Sequence, residues 1–314
     1  MKKLLLQTTL FLTLFTAFNI HAQDITFKSD TLYPEGIAYH AKRDVFFVSS
    51  LRHGKIGIVD RKGNYKVFID SPEMISAIGI RLNEKTNTLY VCTSDPGVST
   101  KTSPATQRKF AKLIAYDATT GAQKYNADLG ALNAGGLNFA NDVTFDNEGN
   151  VYVTNSFSPI IYKVDAVGTP SIFTTYDEWK GDGFRLNGIV YHPDGFLMVV
   201  VSNPGILYKI PVKKPQEIKK VKCLLLLGAD GLIYNPANKE LVVISNFSQE
   251  IIRMRSTDNW ESALPWDRFK SVNTFPTTGT IGGPYYYILN AKLNELFDPK
   301  AAKSSTFLIQ QIRF

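Results

Sequence analysis

The sequence predicts an all-β fold, a six-bladed β-propeller closed by its own N-terminal strand. Three observations carry this. Six hexapeptides recur in one phase along the 314 residues: PEGIAY at 34–39, AIGIRL at 77–82, ANDVTF at 140–145, LNGIVY at 186–191, ADGLIY at 229–234 and TTGTIG at 277–282. They open units of roughly 43 to 63 residues, a spacing that marks a repeat architecture. After each comes a short turn and a β-branched or aromatic run: VFFVS, TLYVCT, VYVT, LMVVVS, LVVIS and YYYIL. Third runs (KIGIVD, KLIAYD, IIYKVD, ILYKI, EIIRM, TFLIQ) and fourth ones such as YKVFI complete four antiparallel strands per unit. The chain ends soon after the third run of the sixth unit. ITFKSD at 25–30 fits the empty outer position, and a strand borrowed from the other terminus removes an exposed sheet edge.

The domain organisation follows from the repeat. Residues 1–22 contain Lys2 and Lys3, a short apolar run from Leu4 to Phe18 and a small residue at Ala22, the pattern of an export signal. Residues 23–314 then form a single propeller, expected in the periplasm or secreted. Loss of Lys2 and Lys3 with the leader lowers the formal charge from +7 to +5, spread along the chain, which argues against nucleic acid as a partner. No later stretch is apolar enough for a membrane span. Cys92 and Cys223 fall in distant units and are expected as buried free thiols.

The repeat also sorts residues by face. If each hexapeptide begins the innermost strand at one end of a central channel, antiparallel order puts the second-to-third connections at that same end. Arg52, His53, Asn155, Asn203 and Asn246 then rim the channel mouth, while His40 and His192 fall on the opposite face. A polar insert from about Ser94 to Lys112 reads equally as a lid over the mouth or as a solvated loop. Trp179 is a candidate substrate wall, Trp260 and Trp266 read as packing, and the lysines of 213–222 read as a solvated outer edge.

At the second position four hexapeptides place an oxygen-bearing side chain: Glu35, Asn141, Asn187 and Asp230. A closed ring aims all four at one point. Two carboxylates and two amide carbonyls form a hard, oxygen-only set that suits a divalent metal, Ca²⁺ above all, with positions left for water and substrate. Against this stands the ordinary turn chemistry of Glu-Gly, Asn-Asp, Asn-Gly and Asp-Gly, in which such side chains bond only their own backbone. Asp142, beside Asn141, reads either as an Asx-turn partner or as a group that holds the ligand amides and water in place. Ile78 and Thr278, at the second and sixth openings, offer nothing and one hydroxyl. Serine-esterase, zinc-peptidase and nucleotide-binding signatures are absent.

PEGIAY, FANDVTF, LNGIVYHPDG and GADGLIYNP resemble the blade openings of the regucalcin and gluconolactonase family of six-bladed propellers, with diisopropylfluorophosphatase and the paraoxonases as more distant relatives. The resemblance spans the whole of 23–314. It implies that Glu35, Asn141, Asn187 and Asp230 hold a catalytic divalent metal, usually calcium, in an enzyme that hydrolyses lactones or organophosphate esters. It also gives Asp230 a second role, as base toward water or as nucleophile. The chain departs from relatives that carry a histidine over the metal, since it has none in its sixth unit or near Asp230. Taken together these features predict an exported, metal-dependent hydrolase that opens a lactone or similar ester of a small-molecule substrate. The alternatives are a propeller with a structural metal that binds a ligand or protein without turnover, and a strictosidine-synthase-like enzyme with a catalytic glutamate.

Overall fold

A computed structural model of the chain describes residues 23–272 and 275–314. The leader assigned to residues 1–22 lies outside the described residues. Six four-stranded antiparallel sheets follow one another in chain order. Blade 1 comprises Ile37–His40, Val45–Ser49, Lys55–Asp60 and Tyr65–Asp70; blade 2 Ser76–Asn83, Thr88–Ser94, Ala111–Asp117 and Gln123–Asp128; blade 3 Ala140–Phe145, Val151–Asn155, Ile160–Val164 and Pro170–Thr175. Blade 4 comprises Leu186–His192, Phe196–Val201, Ile206–Pro211 and Lys219–Lys220, and blade 5 Ala229–Asn235, Glu240–Ser245, Glu250–Arg255 and Leu264–Lys270. Blade 6 takes Pro276–Gly282, Tyr285–Asn290 and Thr306–Ile312 from the C-terminus and Ile25–Lys28 from the N-terminus. Ile25 pairs with Ile309 and Lys28 with Thr306. The expected closure is therefore present, and it is reinforced by Phe27, which is buried against Phe307 and Tyr65.

Burial explains why the second strands are the most apolar runs. They lie inside stacked blades and are covered on both faces, as in FLMVVV of blade 4, where every residue is buried. Outer strands have one wet face: Lys219 and Lys220 are exposed, and the lysine group forms the solvated edge the sequence suggests. Cys92 is buried and Cys223 only half-buried, and both thiols are free; burial pushes the Cys223 thiol up to about 11. Among the described residues no helix is long and apolar enough to cross a membrane.

The inner strands share one local device. In blades 2 to 6 the pairing of the first strand with the second slips across two residues near its start: Ala77 to Ile80, Ala140 to Val143, Leu186 to Ile189, Ala229 to Leu232 and Pro276 to Gly279. A bulge re-aims the residues it contains, and here it contains the second hexapeptide position. The third position answers to packing between blades. A Cβ on Gly36 would lie 2.5 Å from the Ile78 carbonyl oxygen, on Gly79 2.4 Å from that of Asn141, and on Gly188 2.3 Å from that of Asp230. Only glycine fits so close to a neighbouring backbone. Turn chemistry is thus not the reason for the Glu-Gly, Asn-Gly and Asp-Gly pairs.

The same register corrects the sixth opening. Its bulge spans Thr277 and Thr278, so the repeat there is PTTGTI at 276–281, one residue earlier than the sequence pattern suggested. Thr277, not Thr278, stands level with Asn141, and its hydroxyl donates to the Glu35 carbonyl oxygen at 2.9 Å. Gly188→Ala should destabilise the protein by about 1–3 kcal/mol through overpacking against the Asp230 backbone. Urea denaturation reads this directly, and an unchanged midpoint would contradict the close-approach account.

Candidate active site

At the end of the channel where the inner strands begin, a cavity of about 270 Å³ is lined by Glu35, Asn141, Asn187 and Asp230, together with Ser202 and Asn246. Leu51, Ile78, Phe139, Phe184, Phe275, Leu293 and Phe297 complete the wall. All four predicted ligands therefore meet, from blades 1, 3, 4 and 5. The cavity has a polar end and an apolar one. Glu35, Asn141, Asn187 and Asp230 are each less than a tenth exposed, whereas Phe184 and Phe297 are 40% and 43% exposed.

Hydrogen bonds orient the oxygens. Asn141 Nδ2 donates to Ser156 Oγ at 2.8 Å and to Asn187 Oδ1 at 2.8 Å, and Asn187 Nδ2 donates to Ser202 Oγ at 3.0 Å. The two serines are themselves fixed, because each donates its hydroxyl to the opening residue of the next blade: Ser156 to the Leu186 carbonyl and Ser202 to that of Ala229, both at 2.5 Å. The amide NH₂ groups are thus drawn to the serines. Asn246 Nδ2 donates to Asp230 Oδ2 at 2.9 Å. Glu35 Oε2 is buried and has no hydrogen-bond partner among the described residues. A buried carboxylate oxygen without a donor is costly unless something positive meets it.

Burial raises the Glu35 carboxyl well above the usual range, and the charges of Asp230 and Asp142 push it further. Asp230 is raised to about 7, first by burial and then by Asp142, against the lowering effect of its bonds to Asn246 and Asn187. Asp142 occupies the glycine position of blade 3 and reaches across to blade 4. Its Oδ1 accepts from the Val143 amide at 2.8 Å and its Oδ2 from the Ile189 amide at 3.1 Å, with Arg81 4.0 Å away. Burial also raises Asp142, opposed by Arg81. Asp142 therefore sits behind the four oxygens and bonds backbone amides, its own neighbour's among them. Among the described residues no three His, Cys, Asp or Glu side chains gather as a metal cluster, so a cation here would rely on the two amide oxygens beside the two carboxylates. That donor set, the unpartnered Glu35 oxygen and the two raised carboxyls fit a hard divalent cation.

The other candidates divide. Asn246 lines the cavity. His53 does not: its Nε2 lies 3.0 Å from the Asp30 carbonyl oxygen and 3.3 Å from Thr31 Oγ1, tying down the N-terminal segment. Asn155 has a structural task, accepting from the amides of Phe139 and Phe157 and donating to Asn138 Oδ1 and Tyr162 Oη. Asn203 is exposed and Arg52 half-buried outside the cavity wall, the Arg52 carbonyl accepting from the Thr100 amide at 2.9 Å. Trp179 is fully buried against Tyr176 and Tyr208 and is core, not substrate wall. The 94–112 insert contributes nothing to the wall. Asp95 pins it through Thr102, Thr106 and the Gly97 amide, and Lys101 Nζ donates to the carbonyls of Ser71 and Met74. Residues the sequence reading missed close the mouth instead. Phe139 and Phe275 directly precede blades 3 and 6, and Phe184 sits just before blade 4, a recurrence that was visible. Leu293 and Phe297 come from a short helix, Leu293–Phe297, in the last connection of blade 6.

Neither a family model nor a curated protein sequence matches the chain. Among solved structures, the allergen Mala s 1 of Malassezia sympodialis aligns with a TM-score of 0.74 at 20% identity, over 92% of this chain and 95% of that one. A candidate gluconolactonase aligns with a TM-score of 0.64 at 15% identity, over 94% of each chain. Regucalcin, a calcium-binding protein of Agrobacterium tumefaciens, aligns with a TM-score of 0.62 at 16% identity, over 90% of this chain and 93% of its own. At these identities the likeness establishes the fold, the six-bladed propeller, and its members include both names that the blade-opening motifs resemble.

The raised carboxyls carry a stability signature. Asp230 takes up its proton near 7 in the folded chain and near 3.9 when unfolded, so its penalty is absent at acid pH, grows as pH rises between those values and is complete above 7. Without divalent cations, Asp230→Asn should raise the melting temperature at pH 8 and leave it nearly unchanged at pH 4. Calorimetry at both pH values checks this, and an equal effect at both would contradict it.

Proposed function

We propose that the chain is an exported, divalent-cation-dependent hydrolase of the gluconolactonase-like kind that opens a lactone or similar ester, with calcium as the expected ion. The observation that carries this reading is the convergence of Glu35, Asn141, Asn187 and Asp230 on the deep end of one cavity that keeps room for a small substrate. The resemblance of the blade openings to regucalcins and gluconolactonases supports the same reading.

A cation held by these four side chains would polarise the ester carbonyl as a Lewis acid. The chain's own groups do the rest. Asp230 accepts the proton of an attacking water as that oxygen bonds to the carbonyl carbon. When the acyl C–O bond breaks, the same proton returns to the departing alkoxide. Asn246 holds Asp230 Oδ2 and so fixes which oxygen faces the water. Ser156 and Ser202 keep the two amides turned with their nitrogens outward. Phe184 and Phe297 touch at 6.3 Å between ring centroids and shield the site from bulk water. Residues 1–22 would direct the product out of the cytoplasm.

The test pairs elemental analysis with hydrolysis of a lactone and phosphotriester panel, on protein lacking residues 1–22 and on its Asp230→Ala variant. The expected result is bound calcium and a lactonase activity that chelation removes and that Asp230→Ala lowers by at least 10²-fold, the lower end of general-base effects. Retained metal without turnover by either protein would instead favour a binding propeller, and no bound divalent ion would refute the ligand assignment.

A further inference from the structure

The wall above the four oxygens has a chemistry of its own. Beyond the polar end the cavity is formed by Phe139, Phe184, Phe275, Leu293, Phe297 and Ile78. Among the described residues no lysine, arginine or histidine lines it, and the two charged groups that do, Glu35 and Asp230, are both acidic. With the divalent cation of the hydrolase reading balanced by those two carboxylates, the wall offers no further positive group to an anionic substrate such as a phosphorylated sugar.

Among the described residues that line the cavity, most side-chain N–H and O–H groups are already engaged. Asn141 Nδ2 serves Ser156 and Asn187, Asn187 Nδ2 serves Ser202, Asn246 Nδ2 serves Asp230, and the Ser202 hydroxyl serves the Ala229 carbonyl. A sugar lactone would have to give up water around each ring hydroxyl and find phenyl groups in exchange. The aromatic wall is continuous. Phe139 and Phe184 stand 5.1 Å apart edge to face, and Phe184 meets Phe297 from the far side of the mouth at 6.3 Å. Gly181 and Gly183, both at positive φ, flank the turn that presents Phe184. The volume of about 270 Å³ corresponds to roughly nine waters at about 30 Å³ each, enough for a small ring and several methylenes.

We propose, building on the hydrolase reading above, that the pocket selects lactones or esters bearing an apolar hydrocarbon substituent, with the ester carbonyl at the Glu35–Asp230 end and the substituent against Phe139, Phe184 and Phe297, and that it discriminates against polyhydroxylated and anionic ones. The selection is hydrophobic, so it grows with each methylene that leaves water until the tail emerges past Phe297.

A series sharing one ring isolates this effect: δ-valerolactone, δ-hexanolactone, δ-octanolactone, δ-decanolactone and glucono-δ-lactone, with calcium-loaded protein. The specificity constant kcat/KM should rise by up to about fourfold per buried methylene, and glucono-δ-lactone should fall below δ-valerolactone. Phe297→Ser and, separately, Phe184→Ser should flatten the series by lowering the δ-decanolactone to δ-valerolactone ratio at least fivefold. A flat series in the native protein, or a preference for glucono-δ-lactone, would overturn the apolar assignment while leaving the hydrolase reading intact. If nothing is turned over, the hydrolase reading fails, and binding decides the apolar assignment separately. Displacement of N-phenyl-1-naphthylamine by δ-decanolactone but not by glucono-δ-lactone supports it, and equal displacement by both, or by neither, overturns it.

Discussion

The close approach of the inner strands around the channel is the constraint on which the rest of the molecule depends. Gly36, Gly79 and Gly188 lie so near the carbonyls of the following blade that no side chain fits between them. With blades held at that distance, a bulge at the start of each of several inner strands turns one side chain toward the channel end. Asn141, Asn187 and Asp230 are placed this way, and Glu35 joins them from just before its own unbulged strand. The ring is then secured at its seam by Ile25–Lys28 on Thr306–Ile312.

Geometry becomes electrostatics at this point. Two carboxylates that would be unremarkable on a surface are placed in a buried, mostly apolar cavity, with Asp142 behind them, and both are pushed up in pKa. The serines after the second strands of blades 3 and 4 join the two levels of organisation. Each clasps the next blade through its hydroxyl and orients an asparagine of its own blade through its lone pair. Packing between blades and orientation of the site are therefore one hydrogen-bond system. The proton affinity of Asp230 and the unpartnered oxygen of Glu35 are two consequences of an arrangement that concentrates negative charge where water is scarce.

Much of this was legible in the sequence because the repeat is written in backbone requirements. The strand runs, the blade count, the closing strand and the convergence of Glu35, Asn141, Asn187 and Asp230 all follow from phase. The errors have physical reasons. Pro276-Thr277-Thr278-Gly279 can be aligned in two ways, and only the pairing register shows that Thr277 stands level with Asn141. His53 and Asn155 occupy rim positions, yet backbone groups nearby claim both side chains: the Asp30 carbonyl at the N-terminal segment and the buried Phe139 amide. The 94–112 insert has the composition of a mobile lid, but Asp95 knits it together from within and Lys101 ties it to the Ser71 and Met74 carbonyls. The aromatic wall escaped notice because its members lie one or more residues outside the hexapeptides, and because Leu293 and Phe297 come from a short helix that, among the described residues, the second-to-third connections of the other blades lack.

The central claim is that four side chains from four blades meet to hold one divalent cation. A crystal structure of residues 23–314 grown with calcium tests it most directly through anomalous scattering. The account predicts a peak between Glu35, Asn141, Asn187 and Asp230, with oxygens at about 2.3–2.6 Å, and the Asn141 and Asn187 nitrogens still on Ser156 and Ser202. A structure at saturating calcium in which no peak stands among the four side chains would contradict it.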